Sequence, residues 1–181
     1  MTAIPIGVAG KHNWYSAPSG CLGKPYPHSR CLHFQQDIPA VEQTAIDFAT
    51  SYHASIDHRR KYTGEPYIAH LVAVAELLRS VPHTETEAMI CAAWLHNVVE
   101  DTPATLDDVE RVFGGDVTAL VEMLADVSKL TDGNRAKRKN MDREHIAKAS
   151  PQAKTIKLAD LIDNMRSIVD ARSQIRQGVF G

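Results

Sequence analysis

The sequence predicts an all-α domain preceded by an irregular N-terminal extension. Three observations carry this. From Ile38 onward, apolar residues recur at intervals of three and four; no stretch alternates apolar and polar residues long enough to make a strand; and Gly, Pro and Ser crowd the first 37 residues. With 181 residues and 44% hydrophobic content the chain suffices for one well-filled core. Residues 38–181 are therefore expected to form one domain, and residues 1–37 a separate extension.

The extension holds Cys21, His28, Cys31 and His33, but their spacing matches no common zinc pattern, and the composition favours a loosely ordered segment. Val41, Ala45, Phe48, Ala49, Tyr52 and Ile56 then mark a first amphipathic helix. After Arg59, Arg60 and Lys61, the pair Thr63-Gly64 signals a turn, and Pro66 suits the first position of a second helix, with Ile68, Leu71, Val72, Ala75 and Leu78 inward. Thr84 with Glu87 three residues later reads as a capping box for a third helix, running through Leu95 to about Val99. Thr105 with Asp108 opens a fourth that Gly114-Gly115 ends, and Asp116 is expected to cap a fifth, with Val117, Leu120, Val121 and Leu124 buried. The charge-dense stretch from Thr131 to Arg143 is expected to be an exposed loop. Ser150-Pro151 is a cap followed by a first-turn proline, opening a last helix through Ile156, Leu161, Met165 and Ile168.

The net charge of −2, with no basic block or stripe, points away from nucleic acid and from anionic membranes. No apolar run approaches the roughly 20 residues of a membrane span, and no signal peptide is visible. Three widely spaced cysteines fit a reducing cytoplasm better than a disulfide framework, with Cys91 a small core residue.

The stretch Trp94-Leu95-His96-Asn97-Val98-Val99-Glu100-Asp101-Thr102 places an imidazole, an amide and two carboxylates on one helix and its exit. His70 lies in the second helix. Asp160 and Asn164 stand one turn apart on the last, with Lys157 three residues before Asp160. Each polar group taken alone reads as a hydrogen-bonded core residue. Three apolar helices each delivering one favour a shared divalent metal, because a buried carboxylate without a partner is costly. Imidazole with carboxylate suits manganese, iron, zinc or cobalt better than calcium.

In residue type and order, Tyr62-Thr63-Gly64-Glu65-Pro66-Tyr67-Ile68-Ala69-His70, Ala92-Ala93-Trp94 through Thr102, and Ile156-Lys157-Leu158-Ala159-Asp160 through Asn164-Met165-Arg166 resemble the hydrolase domain of the RelA/SpoT alarmone enzymes, nearest to the small stand-alone alarmone hydrolases. The resemblance covers about residues 38–169. It implies an HD-domain helical bundle that uses Mn2+ to remove pyrophosphate from the 3′ position of guanosine tetra- and pentaphosphate. Carried over by position, it implies His70, His96, Asn97 and Asp160 as metal ligands, and Glu100 and Asp101 as the acidic pair that orients or deprotonates water. Arg60, Lys61, Asn164 and Ser167 fall at substrate-contacting positions. Arg60, Lys61 and Ser167 read equally well as solvated surface positions.

Three departures stand out. Asn97 occupies the position where the family carries the aspartate of its HD motif, so the ligand set falls to one carboxylate. That fits a weakened or repurposed member, a substitution introduced to trap a bound state, or replacement of the ligand by another carboxylate such as Glu100. Tyr62 adds one residue between the basic pair and the glycine. The chain also ends at Gly181, where family members continue with helices that help close the nucleotide pocket. Besides alarmone hydrolysis, two readings stay open: the same chemistry on another nucleotide, and a catalytically silent module that binds a nucleotide or a partner protein.

Overall fold

The computed structural model describes residues 38–81 and 86–176, and regular structure among them is helical, with one isolated bridge between Arg59 and Pro66. The all-α expectation is met. The N-terminal extension, with Cys21, His28, Cys31 and His33, and the expected cap Thr84 lie outside the described residues.

The core is built around α3 (Glu87–Leu95), where every side chain from Met89 to Leu95 is buried. A helix apolar on all sides must be enclosed on all sides. Accordingly, α1 (Ala40–Ser55), α2 (Ile68–Arg79), α6 (Gly115–Leu124) and α8 (Pro151–Arg176) all pack against it. Each fully buried Leu- or Met-sized side chain there stabilises the fold by roughly 1.5–3 kcal/mol. Trp94 carries a polar edge into this core, and its Nε1–H donates to Glu42 Oε1 at 3.0 Å. Arg79 closes on the same oxygen, so the buried Glu42 carboxylate is both neutralised and hydrogen-bonded.

Helix ends follow local chemistry, with several corrections to the expected boundaries. Thr86 caps α3, its hydroxyl accepting from Met89 N–H at 3.2 Å. The third helix does not run on to Val99. It stops at Leu95, His96 and Asn97 form a turn, and α4 (Val98–Asp101) is a further single turn. His96 Nδ1 reaches back to the Ala93 carbonyl at 2.8 Å, satisfying an acceptor that a helix end leaves unpaired. The second helix begins at Ile68, two residues after Pro66, and the N–H of its N-cap Tyr67 bonds to the His58 carbonyl across the preceding loop at 3.0 Å.

The Thr105–Asp108 capping box opens α5 (Leu106–Phe113) as expected. Gly114, at φ 79°, then ends α5 and serves as N-cap of α6. That backbone conformation favours glycine, and Asp116 sits inside the first turn of α6, complementing the helix dipole without capping it. Between Thr131 and Arg143 most of the expected loop is α7 (Arg135–Lys148), whose N-cap Asn134 accepts from Lys137 N–H at 3.0 Å. Its charges are a solvated helical face; Asp142 on the inner side accepts from the Ser128 N–H and hydroxyl. Ser150 caps α8 as predicted, accepting from Ala153 N–H at 3.1 Å. The inward face of α8 is Ala153, Ile156, Ala159, Asp160, Asp163 and Ser167, whereas Leu161 and Met165 point outward.

Candidate metal centre

Two helices and a turn deliver the centre. His70 stands in the first turn of α2, His96 in the turn after α3, and Asp160 midway along α8. All three are buried, and one ligand atom from each lies within 4.8 Å of the others. His70 Nε2 is 3.2 Å from His96 Nε2 and 3.3 Å from Asp160 Oδ1, while His96 Nε2 is 3.9 Å from that oxygen.

The outer edges of both rings are tied. His70 Nδ1 faces Asp163 Oδ2 at 2.7 Å, and His96 Nδ1 faces the Ala93 carbonyl. Both partners are acceptors, so each Nδ1 carries a proton and each Nε2 lone pair points into the shared space beside the Asp160 carboxylate. Two lone pairs and an anion directed at one point repel unless a cation lies between them. This donor set fits a divalent transition metal.

The electrostatics show the pull of this site on positive charge. Burial works against a charge on His70, but the carboxylates of Asp160 and Asp163 outweigh it and raise its pKa. Burial pushes His96 down to about 4, with Asp160 pulling the other way. Asp160 is held below the usual carboxylate range: burial disfavours its charge, yet His70, His96 and Lys157 more than compensate. Lys157 Nζ reaches Asp160 Oδ2 at 3.2 Å, and Asn164 Nδ2 donates to Oδ1 at 2.5 Å.

Asn97 lies at the edge of this group, where its Nδ2 donates to the Tyr67 hydroxyl. Tyr67 stacks on His58 with centroids 3.9 Å apart and 9° between the planes. Burial foremost, then the Asp101 charge, raises the Tyr67 pKa above its ordinary value. Glu100 Oε1 accepts the Asp126 N–H at 2.6 Å. Although the residue is exposed overall, desolvation of its carboxyl raises the pKa to about 7, against that hydrogen bond. Asp101 is also raised by burial, which outweighs the attraction of His58 and His70.

The substrate candidates divide. Arg60 is drawn in, its Nη2 2.6 Å from Asp163 Oδ2, with both side chains about 10% exposed. Asn164 is exposed but touches Asp160. Ser167 is buried one turn beyond Asp163. Lys61 stays at the surface over the Tyr62 ring. Sequence reasoning missed Asp163 and Tyr67. Asp163 lies three residues after Asp160, on the same helical face, a spacing that marks it as facing the same interior.

Fold and cluster together define an all-helical domain with a candidate His–His–Asp metal centre. The chain belongs to the HD domain family, which matches residues 45–180. It is similar to the guanosine-3′,5′-bis(diphosphate) 3′-pyrophosphohydrolase MESH1 of Drosophila melanogaster, 38% identical over 64% of this chain and 65% of that protein. A probable guanosine-3′,5′-bis(diphosphate) 3′-pyrophosphohydrolase of Synechocystis sp. is 40% identical over 74% of this chain but only 17% of its own length. Among solved structures, a metazoan ortholog of SpoT that hydrolyzes ppGpp superimposes with a TM-score of 0.64 at 36% identity, over 72% of this chain and 71% of that one. The chain thus spans just under two thirds of the Drosophila protein and about a sixth of the cyanobacterial one.

Proposed function

We propose that this chain is a metal-dependent phosphohydrolase that removes the 3′-pyrophosphate of guanosine tetra- and pentaphosphate. The observation that carries this reading is the convergence of His70 from α2, His96 from the turn after α3 and Asp160 from α8 into one buried donor set, in a chain whose relatives bear the name of that activity. His70, His96, Asp160 and the Asn97 carbonyl oxygen would hold the ion, with Mn2+ the first candidate. Such an ion supplies Lewis acidity, making water more acidic and offsetting phosphate charge. Residues 38–181 form the catalytic domain, acting on a small nucleotide in the cytoplasm. Among the described residues no helix is long and apolar enough to cross a membrane.

The side chains take the remaining roles. Glu100, with its pKa raised to about 7, is suited to accept a proton from water near neutral pH, and Asp101 beside it orients that water. Asn164 and Ser167 line the substrate side of α8. Lys61 and Arg60 offset the charge of a polyanionic nucleotide, although Arg60 is engaged by Asp163 before any nucleotide arrives.

Asn97 favours one rival reading, a nucleotide-binding module without turnover. A neutral amide leaves one carboxylate in the ligand set and weakens a hard-cation site. Pyrophosphate release from guanosine tetraphosphate with added Mn2+ decides between them. The hydrolase reading expects release by the unaltered chain and faster release by Asn97→Asp. Nucleotide binding without release by either protein supports the silent module.

A further inference from the structure

We propose that Asp163 is a positioning residue: it fixes the His70 ring so that Nε2 faces the ion, and Arg60 locks it in place through one shared carboxylate oxygen. The inference rests on the reading of His70 as a metal ligand.

The geometry is specific. Asp163 Oδ2 is approached at 2.7 Å by His70 Nδ1 and at 2.6 Å by Arg60 Nη2. These donors come from α2 and from the loop before it, while Asp163 comes from α8. His70 is fully buried, and the Arg60 and Asp163 side chains are about 10% exposed. An imidazole free to turn about its χ2 torsion would present either nitrogen, or neither, to the ion. A carboxylate on Nδ1 removes that freedom, keeps the proton on Nδ1 and makes Nε2 a stronger donor. His96 obtains the same service from the Ala93 carbonyl, a neutral backbone group. Asp163 is thus the charged partner in the pair of histidine anchors. That matters here because Asn97 contributes no charge of its own.

Arg60 gives the arrangement its rigidity. Without the guanidinium, Asp163 would be a largely buried carboxylate held by one imidazole alone, less firmly but still on Nδ1. The salt bridge is the latch; the hydrogen bond to His70 is the function. A purely structural role, tying the loop to α8, makes a different forecast: losing either partner then has the same effect.

Calorimetric titration with Mn2+ alone distinguishes these, using the unaltered chain, Asp163→Asn and Arg60→Gln. The proposal expects Asp163→Asn to raise the Mn2+ dissociation constant by about 10–100-fold, in a metal-free protein that keeps the helical circular dichroism of the unaltered chain. Arg60→Gln, which leaves the carboxylate on His70, loses clearly less affinity. Substitution with Co2+ adds a second readout, because the visible bands report the ligand field and shift in Asp163→Asn alone. Equal Mn2+ binding by Asp163→Asn and the unaltered chain overturns the proposal and leaves the metal centre standing. Equal losses in the two variants also overturn it, in favour of loop tethering. Failure of the unaltered chain to bind Mn2+ removes the metal reading and this inference with it.

Discussion

The Nε2 atoms of His70 and His96 stand 3.2 Å apart with their Nδ1 atoms both committed to acceptors. Such a pair is stable only with a positive charge between the rings. A proton satisfies it in part, and a divalent ion satisfies it together with Asp160. Ligand binding to the folded state alone stabilises by about 2.7 kcal/mol at a hundredfold excess over the dissociation constant. For a domain of this size, Mn2+ at that excess should raise the melting temperature by roughly 5–10 °C, reversed by a chelator. His96→Ala should abolish the shift. Differential scanning fluorimetry with and without Mn2+ is the check, and an unchanged shift in His96→Ala would place the ion elsewhere.

The candidate ligands were legible because each breaks an apolar helical pattern: His70 beside Leu71, His96 after Leu95, Asp160 after Ala159. A polar group on a buried face must find a partner, so the interruptions mark the site. Asp163 escaped because one more acid on a helix carrying several charges raises no such signal; only its register with Asp160 places it inward. The segment Arg135–Lys148 was missed for a related reason. Its apolar side is thin, so periodicity has little to report, and the Asn134 cap and solvated charges sustain the helix instead. The break at His96 and Asn97 is invisible in the hydrophobic pattern, since the apolar run continues through Val98. It depends on a side chain turning back to the Ala93 carbonyl.

The raised pKa of Glu100 gives a pH profile. Burial pushes this carboxyl up to about 7, so without an ion the base form is scarce below that pH and dominant above it. With Glu100 as proton acceptor, kcat/KM should climb about tenfold per pH unit below the Glu100 pKa and level off above it, with the inflection below 7 because the bound Mn2+ charge draws that pKa down. Glu100→Gln should lower kcat by roughly 10²–10⁴-fold and remove the inflection. A profile of pyrophosphate release from pH 5.5 to 8.5 at saturating Mn2+ tests both parts. Persistence of the inflection in Glu100→Gln would assign it to another group.

The Glu42–Trp94 hydrogen bond ties α1 to α3 through a buried carboxylate that Arg79 also holds. Trp94→Phe keeps most of the buried ring but withdraws the donor, leaving the Glu42 oxygen with one partner fewer. Leaving a buried acceptor short of a bond costs about 1–3 kcal/mol. Urea denaturation should therefore show a lower midpoint with an unchanged slope, because the compactness of neither state alters. No loss of stability would mean that Arg79 satisfies the carboxylate by itself.

Helix α8 carries two interleaved patterns, and its stability should reveal which of them is the core. Ile156 is fully buried, whereas Leu161 and Met165 are more than half exposed, as are Leu158 and Val169. The inward positions include Ala153, Ile156, Asp160, Asp163 and Ser167, while 158, 161, 165 and 169 recur on the opposite side at the same three- and four-residue intervals. A single apolar stripe cannot follow both. The polar residues of the centre therefore occupy the packed face, and the apolar ones turn outward. Substitution at Met165 by Lys should leave stability within about 0.5 kcal/mol, as at other surface positions. Ile156→Ala, which opens a cavity against the core, should lose roughly 2–5 kcal/mol. If Met165→Lys proved the more damaging of the two in urea denaturation, the outward face of α8 would have to be packed against something, and the register that points Asp160 and Asp163 at His70 would need revision.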